Sequence, residues 1–142
     1  MESIISFDLL KKLLPQKNPF VMVSHLLEYS EDAITTGMIV EEENLFIEGG
    51  CFNESGMIEN IAQTTALHTG YDFYLRKEKA PIGYIGTISN VIVNRLPKLN
   101  EKITTKVEII KEFMGVTMVH GSIYVGDEVL MTAKMKTFLE SQ

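Results

Sequence analysis

At 142 residues, with 45% hydrophobic and 23% charged side chains, the chain suits one packed core, which excludes both a disordered tail and a two-domain protein. A formal net charge of −6, with Lys and Arg scattered singly or in pairs, excludes a nucleic-acid partner, because phosphate binding needs clustered cations. The single cysteine, Cys51, excludes an internal disulfide and a cysteine-based zinc site; no metal signature stands elsewhere, no apolar run spans a membrane, no secretory start is present, and the expected address is cytoplasmic.

The first predicted element is a short amphipathic helix over residues 7–14, apolar at helical spacing and stopped by Pro15. After Pro19-Phe20, the run Val21-Met22-Val23 opens an extended region that continues through Ala33 to Val40 and gives two strands. Between about Asn53 and Lys77, Met57, Ile58, Ile61, Ala62, Thr65, Ala66, Thr69 and Phe73 recur at steps of three and four. That period predicts one long helix, capped by Asn53 or Ser55, with Glu54 near its positive end. Ala62, Ala66 and Gly70 recur every four residues, a small-sided stripe that predicts close approach of a sheet backbone.

From Ile82 onward the pattern is strand: residues 84–95, 102–111, 116–125 and 129–139, with turns at Pro97 to Asn100 and at Gly126-Asp127. Ile103, Thr105, Val107 and Ile109 share one face of their strand, and Val129, Met131, Ala133 and Met135 share one face of the last. One helix cannot supply the crossovers of a parallel sheet. The order therefore predicts a single α+β domain over residues 1–142, with an antiparallel sheet against the long helix.

Three stretches carry a family resemblance. Leu13 to Val23 contains a Leu-Pro and then a Pro-Phe pair, Phe46-Ile47-Glu48-Gly49-Gly50-Cys51-Phe52 forms a loop, and Gly56-Met57-Ile58-Glu59-Asn60-Ile61-Ala62-Gln63 follows. Together they resemble the bacterial 3-hydroxyacyl-acyl-carrier-protein dehydratases, with Glu59-x-x-Ala62-Gln63 as the most specific piece. The likeness continues through residues 88–95 and 102–115 to the Gly126-Asp127 hairpin. It implies a hot-dog fold: a curved antiparallel sheet wrapped round one central helix, with an acyl tunnel and a site formed between two subunits. It also implies an acyl thioester, on acyl carrier protein or coenzyme A, as the bound molecule, with no cofactor.

The family uses a loop histidine as base and an acidic residue on the central helix to help the β-hydroxyl leave, because each proton transfer needs its own partner. Glu59 matches the acid. The histidine has no counterpart: this chain reads Gly49-Gly50-Cys51-Phe52-Asn53-Glu54 there, and the loop is shorter. His68 lies nine residues after Glu59, on the opposite side of a helix; His25 and His120 fall in or beside strands. Gln63, one turn after Glu59, is placed to hydrogen-bond that carboxyl or a ligand. Gly49 and Gly50 are expected to offer backbone amides to a thioester carbonyl. Cys51, Phe52 and Asn60 complete the expected substrate-binding set, Cys51 as a small apolar side chain and not a nucleophile.

Three functions fit these residues. The leading one is a divergent dehydratase of fatty-acid or polyene-lipid type with Glu59 as the catalytic group. A thioesterase in which Glu59 activates water or attacks the carbonyl is the second. A non-catalytic subunit that completes an active homologue is the third, and the missing histidine suits it. A homodimer is the minimum assembly expected, since a hot-dog sheet leaves an edge strand to pair with its copy.

Overall fold

The computed structural model describes residues 1–140. Its elements run α1 (Phe7–Leu13), β1 (His25–Tyr29), β2 (Ala33–Ile39), β3 (Ile47–Glu48), β4 (Cys51–Phe52), α2 (Glu54–Leu75), β5 (Gly83–Val93), β6 (Lys102–Phe113), β7 (Val116–Val125) and β8 (Glu128–Leu139). Six strands form one antiparallel sheet in the order β1-β2-β6-β7-β8-β5, and β3-β4 form a separate hairpin. The sheet wraps α2, which is the expected hot-dog arrangement. Val21 to Ser24 are extended but lie outside the sheet, so His25 opens the first strand and does not follow it.

Register explains the core. Thr36 pairs with Thr105, Ile34 with Val107 and Met38 with Ile103, which turns one face of β2 and β6 onto the helix. The predicted inward set Ile103, Thr105 and Val107 is buried. On β8, Ile123 pairs with Met131 and Tyr124 with Val129, so Leu130 occupies a bulge and both Leu130 and Met131 are buried. Strict alternation fails there for that reason.

The first half of α2 is buried on nearly every side, yet it carries Asn60, Gln63, Thr64 and Thr65 inside. Each must be hydrogen-bonded, because an unpaired buried amide or hydroxyl costs about 1–3 kcal/mol. Thr64 Oγ1 meets Thr36 Oγ1 at 2.8 Å, Asn60 Nδ2 donates to the Met22 carbonyl at 2.7 Å, and Thr105 Oγ1 donates to Asn60 Oδ1. This network locks the helix to β2, β6 and the extended segment at Met22. The close approach between helix and sheet is made from the sheet side: a Cβ on Gly121 of β7 would lie 2.5 Å from Ile61 Cγ2.

The small stripe of α2 therefore serves another purpose. Gly70 lies against the Leu13 carbonyl at the end of α1, not against the sheet, and Ala62 and Ala66 border a cavity. Asn53 is the helix cap, accepting from the Gly56 N–H at 2.9 Å.

Beyond the sheet's middle, Arg95 holds the turn after β5 to the β7-β8 hairpin. Its guanidinium is bidentate to Glu101 at 2.8 and 2.9 Å and reaches Glu128 at 2.9 Å. Hydrogen bonds from Arg95 and from the Lys98 N–H hold the Glu101 carboxyl at a pKa of about 2, below its ordinary 4.5. A depressed carboxylate pKa stabilises the fold above the unfolded value and loses that contribution as pH falls through the folded one. Arg95→Met is thus expected to lower the melting temperature by about 3 °C at neutral pH, a screened effect of about 1 kcal/mol. The gap between variant and wild type should close between pH 4.5 and about 2, read by thermal denaturation.

Candidate active site

Glu59 sits in the second turn of α2, half-buried, with Gln63 one turn further along. Gln63 is fully buried and its amide is fully engaged. Nε2 donates to Glu59 Oε1 at 3.0 Å and to the Phe20 carbonyl at 2.8 Å, while Oε1 accepts from the Met22 N–H at 2.7 Å. With Asn60 gripping the Met22 carbonyl from the previous turn, two amides of α2 hold the segment from Phe20 to Met22. The Pro-Phe stretch and the Glu-x-x-Ala-Gln stretch, distant in sequence, are thus hydrogen-bond partners. The same bonds fix the orientation of the Glu59 carboxyl, leaving Oε2 free of hydrogen bonds from the described residues.

A cavity of about 450 Å³ opens beside this carboxyl. Its walls are Glu59, Ala62, Thr65, Ala66, Thr69 and Gly70 of α2, the end of α1 through Leu13 to Gln16, residues 80–85 at and before the start of β5, and Thr137 and Leu139 of β8. The volume lies in the range of small-ligand sites, and the lining is mostly apolar with one carboxylate. Small side chains on α2 create the space: larger residues at 62 and 66 would fill it.

The other expected site residues are placed elsewhere. Gly49 and Gly50, both at positive φ (59° and 77°), form the two-residue turn of the β3-β4 hairpin and are exposed. Cys51 is half-buried on that hairpin, bridged to Lys98, and does not touch the cavity. Phe52, expected to bind substrate, is 0% exposed and packs against Gly56, where it anchors the hairpin to the helix start. Asn60 is likewise turned to the sheet and to Met22, 1% exposed, with its amide bonded to the Met22 carbonyl and Thr105. The structure brings together Glu59 and Gln63 and separates them from the hairpin in this chain.

No histidine lines the cavity. His25 Nδ1 is bonded to Ser24 Oγ at 2.7 Å, and His120 lies between Glu108 and Lys134 on the sheet face away from the helix. His68 bonds the Ser30 carbonyl at 2.9 Å and stacks on Tyr29, ring centroids 5.0 Å apart. Burial, and then the carboxylate of Asp72, raises the Tyr29 pKa. Sequence reasoning missed the contribution of α1's end and of residues 80–85, which only tertiary packing brings to Glu59. The pair of buried amides at i and i+3, Asn60 and Gln63, was the available signal for the gripped segment.

The comparisons with known proteins agree with this fold and give its family. A family model described as ApeP-like, ApeP dehydratase, matches residues 9–142. No curated protein sequence matches the chain significantly. Among solved structures it is similar to the dehydratase heterocomplex ApeI:P of Xenorhabdus doucetiae: 17% identity, 94% of this chain and 91% of that one covered, TM-score 0.82. It is also similar to an uncharacterised protein, PH1136, of Pyrococcus horikoshii: 14% identity, 100% and 97% covered, TM-score 0.70. A third is a hypothetical thioesterase of Streptococcus pneumoniae with coenzyme A: 13% identity, 83% and 86% covered, TM-score 0.67. No helix among the described residues is long and apolar enough to cross a membrane.

Proposed function

This chain belongs to the ApeP-like dehydratase family, and we propose that it removes water from a 3-hydroxyacyl thioester with Glu59 as the catalytic carboxyl. The observation that carries the reading is that Glu59, held at Oε1 by the hydrogen bond from Gln63, lines a largely apolar cavity of small-ligand size. Glu59 is the one carboxylate on that wall among the described residues, and no histidine accompanies it. One group then serves both proton transfers. As carboxylate it takes the proton at C2; the C2 electron pair forms the double bond as the C3–O bond breaks; the same carboxyl then returns the proton to the departing oxygen, releasing water. Gln63 is a positioning residue in this scheme, since its own donors and acceptor are occupied.

A second reading has support of its own. The heterocomplex of the Xenorhabdus doucetiae relative, together with an uncovered edge strand on this chain, fits a subunit that completes the site of a partner dehydratase. Incubation of the purified protein with 3-hydroxyacyl and saturated acyl thioesters, on coenzyme A and on acyl carrier protein, separates the readings. Formation of the enoyl product is the expected result. Thiol release without water loss would replace the dehydratase by a thioesterase, and inertness toward both substrates would leave the subunit role.

A further inference from the structure

A second cavity, of about 430 Å³, lies under the C-terminal half of α2. Its floor is apolar, made by Val107 and Ile109 of β6 and Val119 of β7. One wall is polar: Tyr29, His68, Asp72 and Arg76 build it, and the exposed Glu31 and Glu112 stand at the rim. A hydrocarbon resting there would cover these groups without pairing them, and a covered acceptor that lacks a donor opposes binding. The ligand of this cavity must therefore carry a polar end as well as an apolar body.

The wall says which polar end. His68 Nε2 lies 2.9 Å from the Ser30 carbonyl. A carbonyl only accepts, so Nε2 carries the hydrogen and Nδ1 of the neutral ring is an acceptor. Nothing among the described residues donates to Nδ1, and the ring is held by stacking on Tyr29, centroids 5.0 Å apart. Asp72, one turn further along the same face of α2, adds a carboxylate. Of the four charged side chains in the lining, Glu31, Asp72 and Glu112 are anionic and only Arg76 is cationic. Arg76 is already committed: it pairs with Asp72 at 3.0 Å and with Glu78 at 3.4 Å, and its guanidinium lies over the Phe73 ring at 4.1 Å. An entering carboxylate or phosphate meets like charge and no free cation, whereas a cation is drawn in.

We propose that this cavity is a second ligand site, for a small organic ammonium ion with a compact apolar body. The body rests on Val107, Ile109 and Val119. The ammonium carries three donors, enough for His68 Nδ1, the Asp72 carboxylate and a hydroxyl of Thr117 or Thr137, which pair across β7 and β8 and both line the space. Glu31 and Glu112 favour a cation at the mouth. The site is separate from the chemistry at Glu59 and does not depend on it.

Tryptamine, tryptophol and indole-3-propanoate carry the same indole body on an ammonium, a hydroxyl and a carboxylate, and calorimetry with each on the full chain tests the site. Tryptamine is expected to bind at least about tenfold more tightly than the other two at low ionic strength, with the margin narrowing as salt screens the carboxylates. His68→Phe keeps a ring on Tyr29, removes the acceptor and should weaken tryptamine by at least about fivefold. Glu31→Gln combined with Glu112→Gln changes two exposed side chains and should weaken it by at least about threefold; this pair gives the answer if circular dichroism finds His68→Phe unfolded. Glu59→Gln should leave tryptamine within about twofold of wild type, which places the amine outside the first cavity. No binding of tryptamine, binding of the carboxylate as tight as that of the amine, or loss of tryptamine in Glu59→Gln overturns the proposal. None of these results bears on the dehydratase reading, which the thioester assay decides.

Discussion

Glu59→Gln is expected to reduce dehydration, as kcat/KM for a 3-hydroxyacyl thioester, by at least about a hundredfold while leaving the melting temperature within about 2 °C of wild type. The substitution keeps volume and shape. A glutamine carbonyl at position 59 still accepts from Gln63 Nε2, which now lies 3.0 Å from Glu59 Oε1, so the Phe20–Met22 segment stays gripped. What disappears is a group able to take a proton from carbon and return it to oxygen. Gln63→Leu makes the contrasting case: it strands the Met22 N–H in a buried place, at a cost of about 1–3 kcal/mol that should appear as lost stability, and removes the partner of the part-buried Phe20 carbonyl. Activity in that variant should fall mainly through kcat, because the carboxyl loses its orientation. Unchanged turnover in Glu59→Gln would remove Glu59 from the chemistry and leave the chain as a scaffold.

Much of the architecture was written in local pattern. The period of two in residues 102–111 faces Ile103, Thr105 and Val107 inward because one side of β6 packs on α2, and the Gly126-Asp127 pair makes the turn it announces. Asn53 caps the helix, as an Asn before an apolar run does. The small stripe was legible as a feature and misread in purpose. Ala62, Ala66 and Gly70 make room for a cavity and the end of α1, whereas the sheet comes close through Gly121. Spacing along one helix fixes which residues share a face; it carries no information on which neighbour that face meets.

The site divided along the same line. Glu59 and Gln63 lie one turn apart, so their hydrogen bond follows from helix geometry alone. The loop residues did not follow. Gly49 and Gly50 read equally well as donors of free amides or as a turn at positive φ, and the hairpin pairing of Ile47 with Phe52 shows that they make the turn. Phe52 could be placed against ligand or core by its chemistry, and the absence of a side chain at Gly56 gives its ring a seat in the core.

Lysines placed together at Ile88 and Ile92 are expected to convert a self-associated protein into folded monomers, read by sedimentation or light scattering. The two edges of the sheet are treated differently by the chain. On β1, the Ile4 N–H donates to the Leu26 carbonyl and Ser3 Oγ accepts from the Leu26 N–H, so the N-terminal segment covers that edge. On β5, nothing among the described residues does so. Its eleven residues pair only with β8, contain no charge and no proline, and leave Ile88 43% and Ile92 58% exposed. A long, uncharged, apolar edge is a template for another strand, and charge along it is the usual deterrent. Opposite Met135, Ile88 faces the helix side of the sheet, where α2 leaves it uncovered; Ile92, opposite Thr132, faces the other way. A second copy of β5 would shelter both faces. Burying each isoleucine is worth about 1–1.5 kcal/mol, so losing four across a two-fold contact weakens association by at least about a thousandfold. Turnover should fall with it. Pro81 and Ile82 before β5 and Gly83 to Ile85 at its start line the cavity of Glu59, and an unpaired edge leaves that wall open to water, which weakens every electrostatic contact inside. A wild type that is monomeric at working concentration would assign this edge to a different subunit.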